Sequence, residues 1–170
     1  MAPRPPADAV VALRSLGRRW RGLFAGLGKD ELPDDLANRI GSDGHSALDH
    51  AVRATRTLSL LGRAMEQVLV DDEAVLHPAI GDSAQRSWGG AAGGTVDDVI
   101  AELVHEADRL ADRVDRVSAG EWARRARVAG QDADLGALDV LWEAVDADVI
   151  ELKAAGRTLS EVRGRPVQSD

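Results

Sequence analysis

Apolar residues recur at three- and four-residue steps in four long stretches of the chain, separated by segments where that rhythm fails. In the first, Val10, Leu13, Leu16, Trp20, Leu23, Phe24 and Leu27 form one stripe. Such a stripe marks an amphipathic helix that buries one face. It begins near Ala7 or Asp8, with Gly28 as its stop. The segment from Lys29 to Gly44 holds Pro33, Asp34, Asp35, Gly41 and Gly44 and reads as a connection, with a short turn around Asp35–Ile40. A second helix opens near His45 or Ser46. Leu48, Val52, Thr55, Leu58, Leu61, Met65, Val68 and Leu69 are its buried face, and the acidic run Asp71-Asp72-Glu73 ends it. An irregular segment follows from Ala74 to Gly94, with His77-Pro78, Gly81, Trp88 and the glycine-rich run Gly89–Gly94.

The third helix has the clearest start. Thr95 is a good N-cap with Asp98 at the third helical position, and Asp97 and Asp98 suit the positive end of the helix dipole. Val96, Val99, Ile100, Leu103, Val104, Ala107, Leu110, Val114 and Val117 continue the stripe to Ser118-Ala119-Gly120. Glu121 to Asp134 is another connection. The fourth helix runs from about Leu135 to Val162 on a seam of Leu138, Leu141, Val145, Leu152, Ala155, Leu159 and Val162, with Gly164 and Pro166 as its stop. Four amphipathic segments without a convincing alternating strand predict an all-α four-helix bundle with long connections after helices 2 and 3. One domain spans residues 7–163, with flexible tails at 1–6 and 164–170.

Composition narrows what the bundle does. The chain has 170 residues, a hydrophobic fraction of 44% and aromatics at only 3%, so Leu, Val, Ala and Ile must fill the core. There is no cysteine, which excludes disulfides, thiolate metal sites and a Cys nucleophile. A formal net charge of −8 argues against a general nucleic-acid partner. The clusters Arg18-Arg19-Arg21 and Arg124-Arg125-Arg127 are expected on a solvated helix face and in a loop paired with nearby acids. The first residues lack the apolar run of a signal peptide, and no segment approaches the roughly 20 apolar residues that cross a bilayer. A cytoplasmic protein is expected. Its Arg-, Ala-, Gly- and Asp-rich usage fits a high-GC bacterial genome.

Familiar chemical motifs are missing. Gly89–Gly94 lacks the following Lys-Ser/Thr and the preceding strand of a phosphate-binding loop. As a flexible loop, together with Trp88, it could roof a ligand. There is no HExxH motif and no GxSxG elbow. Of the four histidines, His45 sits where it could cap the second helix, His50 lies on that helix, His77 precedes Pro78, and His105 lies on the third helix. Asp148 is the anomaly, a carboxylate on the apolar seam of the last helix, where burial is costly unless it is paired. Two readings stay open. Either Asp148 closes a polar pocket with His50, Arg53 or Arg56, or the helix turns so that Val149 faces the core and Asp148 reaches water.

The phrase His45-Ser46-Ala47-Leu48-Asp49-His50-Ala51-Val52-Arg53 resembles the second helix of the DinB-like superfamily, which includes the mycothiol-dependent maleylpyruvate isomerases. Glu121-Trp122-Ala123-Arg124-Arg125 resembles the Glu/Asp-Trp-x-Arg connection before that family's last helix. The resemblance covers roughly residues 7–163 and implies a DinB-like bundle. It also implies a metal site of one His on the second helix and two, four residues apart, on the last. Here the first falls at Arg53 and the others near Asp146 and Ile150, followed by Glu151, and the last helix has no His at all. An Arg cannot ligate a metal and Ile offers no donor atom, so no metal and no cofactor are expected. Arg53 is expected to stand in the metal's place, paired with Asp146 or Asp148. Two functions follow: a metal-free module that binds a small molecule or pairs with itself as a homodimer, or an enzyme. The enzyme would use a rearranged metal site from His50, Asp146, Asp148 and Glu151, or metal-free acid–base chemistry at Asp148 and Arg53.

Overall fold

The computed structural model describes residues 4–27, 33–86, 94–132 and 134–163. Four long helices form the bundle: α1 (Pro6–Ala25), α3 (Ala47–Val70), α5 (Val96–Val114) and α7 (Ala137–Arg163). Each buries the stripe expected of it. Leu13, Leu16, Trp20, Leu48, Leu58, Leu61, Leu103, Leu110, Leu141 and Leu159 are all buried in one core. α3 packs most extensively on α7, α1 on α5, and the ring closes through α3–α5 and α1–α7 contacts. The order around the bundle is therefore α1–α5–α3–α7, which sets α1 diagonal to α3 and α5 diagonal to α7. Two of the three connections, α1 to α3 and α5 to α7, therefore cross an end of the bundle. No helix among the described residues is long and apolar enough to cross a membrane.

The helix starts follow local chemistry. Pro6 opens α1 at a position that needs no N–H. Ser46 and Thr95 cap α3 and α5 with complete capping boxes, closed by Asp49 and Asp98. The cap of α3 is thus Ser46, and His45 instead donates its backbone N–H to Asp43 Oδ1 at 3.0 Å. Because Ser46 is buried, no water replaces its hydroxyl. Ser46→Ala is expected to lower stability by about 1 kcal/mol, read as an earlier urea midpoint at unchanged m-value. An unshifted midpoint would mean the cap contributes nothing.

The connections hold more structure than expected. The Lys29–Gly44 segment contains the short helix α2 (Pro33–Ala37). The irregular stretch after α3 contains β1 (Val75–Leu76), α4 (Pro78–Gly81) and a 3₁₀ turn at Ser83–Gln85. α5 ends at Val114 rather than Ser118, and Ser118 caps a further short helix, α6 (Ala119–Trp122). β2 (Arg125–Val128) pairs parallel to β1 and antiparallel to β3 (Asp134–Gly136). The expectation of no strands is corrected: β2 alternates exposed and buried residues, but over four residues only, too short to stand out as a period. Leu135 belongs to β3, so α7 starts at Ala137. The Arg cluster on this sheet does pair with acids, Arg124 with Asp72 at 3.1 Å and Arg125 with Asp139 at 3.8 Å. Arg124 also donates to the Leu69 carbonyl at 2.7 Å, tying the sheet to the end of α3.

The proposed N-terminal tail is anchored at Arg4. Its guanidinium grips Asp146 through two hydrogen bonds of 2.9 and 2.7 Å and lies 3.9 Å from the centre of the Trp142 ring system. Trp142 Nε1 donates to the Arg4 carbonyl at 3.1 Å. Trp88, Gly28, residues 89–93 of the glycine-rich run, and residues 164–170 lie outside the described residues.

Candidate functional site

The site lies between α3 and α7, the two helices that carry the resemblance's ligand positions. α3 supplies His50, Arg53 and Thr57, and α7 supplies Glu143, Asp146, Ile150 and Glu151. The turn before α3 delivers Asp43. That turn depends on Gly44, whose φ of +81° suits glycine, and on Gly41, where a Cβ would come within 3.0 Å of Thr158. Ser42 fastens the turn to α7 through its N–H and hydroxyl, which donate to Glu161 at 2.9 and 3.0 Å.

His50 is buried between two carboxylates. Its Nδ1 lies 2.6 Å from Glu151 Oε2 and its Nε2 3.1 Å from Asp43 Oδ2. Both contacts are hydrogen bonds only when both ring nitrogens carry hydrogens. The ring also stands edge-on to His45, with centroids 5.7 Å apart. Burial tends to raise the Asp43 carboxyl, but the His45 backbone N–H and the His50 ring outweigh it and hold Asp43 below the usual range. Arg53 Nε sits 3.3 Å from the other Glu151 oxygen, Oε1, within ion-pair range but without hydrogen-bond alignment. Glu151 therefore joins His50 to Arg53. Arg53 was expected to pair with Asp146 or Asp148. Glu151 takes it because Arg4 already holds Asp146 and Asp148 faces elsewhere.

Asp148 is fully buried, yet none of the expected polar partners reaches it. Trp20 of α1 does, its Nε1–H donating to Asp148 Oδ1 at 2.7 Å, while Oδ2 has no hydrogen-bond partner among the described residues. Neither earlier reading survives intact: the carboxyl is inside the bundle, but it faces the aromatic stripe of α1 rather than His50, Arg53 or Arg56. Burial pushes its pKa up to about 6, opposed by the Trp20 hydrogen bond and by Arg19 and reinforced by Glu151.

Arg53, Thr57, Ser83, Arg86, Glu143, Asp146, Ile150 and Glu151 line a cleft of about 260 Å³. Arg86 and Glu143 were not anticipated. The Arg86 side chain is 4% exposed, donates from Nε to Ala79 O at 2.9 Å and from Nη2 to Ile80 O at 3.2 Å, and pairs with Glu143 at 2.9 Å. A larger groove of about 710 Å³, lined by Phe24, Leu27, Val96 and Ile100 among others, gathers none of the predicted residues.

These residues do not suit a divalent metal. Arg53 has no lone pair to give and Ile150, 64% exposed, has no donor atom. Asp146 is held by Arg4, and each nitrogen of His50 faces a carboxylate. Among the described residues, no group of three or more His, Cys, Asp or Glu side chains is arranged to hold a metal ion.

The order and packing of the helices define a four-helix bundle with long, partly structured connections. A matching solved structure is YfiT from Bacillus subtilis, described as a probable metal-dependent hydrolase with an unusual four-helix bundle topology. It aligns with a TM-score of 0.73 over 98% of this chain and 91% of its own, at 10% identity, so the likeness is one of fold. No family model and no curated protein matches the chain.

Proposed function

We propose that this chain is a metal-free, degenerate DinB-like protein of the bacterial cytoplasm that serves as a small-molecule-binding module. The observation that carries this is Arg53, a permanent cation at the first ligand position of the resemblance, tied to Glu151 beside a polar cleft. A charged cleft of this kind favours a small polar ligand over an apolar protein face. Self-association as a symmetric homodimer through helix faces is part of the same proposal, and sedimentation at several concentrations measures it.

Elemental analysis with metal titration tests the main reading. Well under one metal per chain is expected, with a melting temperature that chelator does not move. One bound metal per chain, lost in His50→Ala, would overturn it.

One observation supports a second reading, an enzyme working by metal-free acid–base chemistry. Glu151 reaches the cleft and is braced by a 2.6 Å contact to buried His50. Its test is a hydrolase panel, in which activity abolished by Glu151→Gln with an unchanged melt would favour the enzyme.

A further inference from the structure

We infer that the cleft between α3, α7 and the Ser83–Arg86 segment binds a compact zwitterion of amino-acid type, carrying a carboxylate and an ammonium on one small skeleton. The inference rests on the small-molecule reading above and specifies its ligand class.

Charge balance is the first argument. Two guanidiniums line the cleft and each faces a carboxylate, Arg53 with Glu151 (which His50 also contacts) and Arg86 with Glu143, while Arg4 holds the lining acid Asp146. A ligand with net negative charge would take an Arg from its acid and leave that acid uncompensated beside it. A net cation would do the reverse to an Arg. A zwitterion exchanges pair for pair, its carboxylate on a guanidinium and its ammonium on the carboxylate released.

The groups also differ in readiness. Arg86 is fixed by two backbone carbonyls and little exposed, so it forms an ordered cationic floor. Arg53, with 32% of its side chain exposed, has its Nε buried without an aligned acceptor, and Glu151 is its only ion-pair partner among the described residues. A guanidinium fork held this loosely gains most from a bidentate carboxylate. On the opposite helix, Glu151, the acid that Arg53 would release, lines the same cleft and is placed for the ammonium. Thr57 and Ser83 add hydroxyls, and Ile150 gives an apolar wall for a short side chain. The volume of about 260 Å³ lies below the range of about 300–1,000 Å³ for drug-sized ligands, so the occupant is compact.

The test is calorimetric and thermal-shift titration of the full chain with the individual L-amino acids. Matched probes are the same skeletons lacking the amine, lacking the carboxylate, or carrying neither charge. At least one amino acid is expected to bind saturably and raise the melting temperature, with each single-charge analogue at least about tenfold weaker. Arg53→Ala, at a partly exposed position, and Glu151→Gln are each expected to weaken it by about tenfold or more, with Arg53→Ala leaving the unliganded melt close to native. Binding of the desamino or uncharged analogue as tightly as the amino acid overturns the zwitterion and leaves the small-molecule module standing. So does amino-acid binding that neither substitution weakens, which would put the ligand elsewhere. No binding by any probe, together with one metal per chain, overturns both.

Discussion

Trp20→Phe is expected to be among the most damaging single substitutions in this protein, costing on the order of 2–4 kcal/mol. The indole is fully buried, stacks on Phe24 with centroids 6.3 Å apart, and supplies the one hydrogen bond to the Asp148 carboxyl found among the described residues. Phenylalanine keeps most of the apolar surface but removes the N–H and leaves a small void. A buried carboxyl then has no partner on either oxygen, and losing a donor to a charged acceptor costs more than losing one between neutral groups. Against a total stability of about 5–15 kcal/mol, that is a large share. Urea denaturation of Trp20→Phe, Asp148→Leu and the double variant measures it. The double variant is expected to lose less than the sum of the singles, because Asp148→Leu removes the group that Trp20→Phe orphans. Additive costs would show that the 2.7 Å contact carries no coupling energy.

The second large effect is a stability that falls as pH rises. The Asp148 carboxyl titrates at about 6 in the folded protein against an ordinary 3.8, so the native state holds its proton more tightly than the unfolded chain does. Its contribution is fully present below about pH 4 and is lost as pH rises through 6, amounting to on the order of 3 kcal/mol. Asp148→Asn keeps an oxygen for Trp20 and cannot ionise. It is expected to exceed the native protein in stability by about 1–3 kcal/mol at pH 8, with the gap closing toward pH 4. Melts at both pH values check this, and an Asn variant less stable than native at pH 8 would show that the buried charge is favourable. Trp20→Phe adds a cross-check: the lost hydrogen bond favours the ionised form, so its penalty should be larger at pH 8 than at pH 5.

The bundle could be read from the chain because each helix carries a full apolar stripe and a local start signal. Ser46 with Asp49, and Thr95 with Asp98, act within one turn and need no knowledge of the fold. The three-stranded sheet could not be read this way. β1 and β2 are two and four residues long and pair across the whole of α5, so neither shows a period nor lies near its partner in sequence. Among the site residues, periodicity put His50, Arg53, Asp146, Asp148 and Glu151 on the right helices. It could not say which of them meet. Asp43 and Arg86 lie in connections, where no rhythm marks a side chain as inward-facing.

Asp148 separates the two levels most clearly. Its place on an apolar seam is a property of the chain, since helical spacing alone sets it beside Val145 and Leu152. Its partner is a property of the tertiary structure. Trp20 lies 128 residues away and is one more apolar residue in the stripe of α1 until the ring order α1–α5–α3–α7 brings α1 against α7. The same holds for His50 and Glu151, 101 residues apart, and for Arg4 and Asp146, 142 apart. Helical periodicity records which face of a segment is buried, because each residue's angle is fixed by its neighbours. It carries nothing about which other face arrives there, and that choice is made by how four stripes share one core.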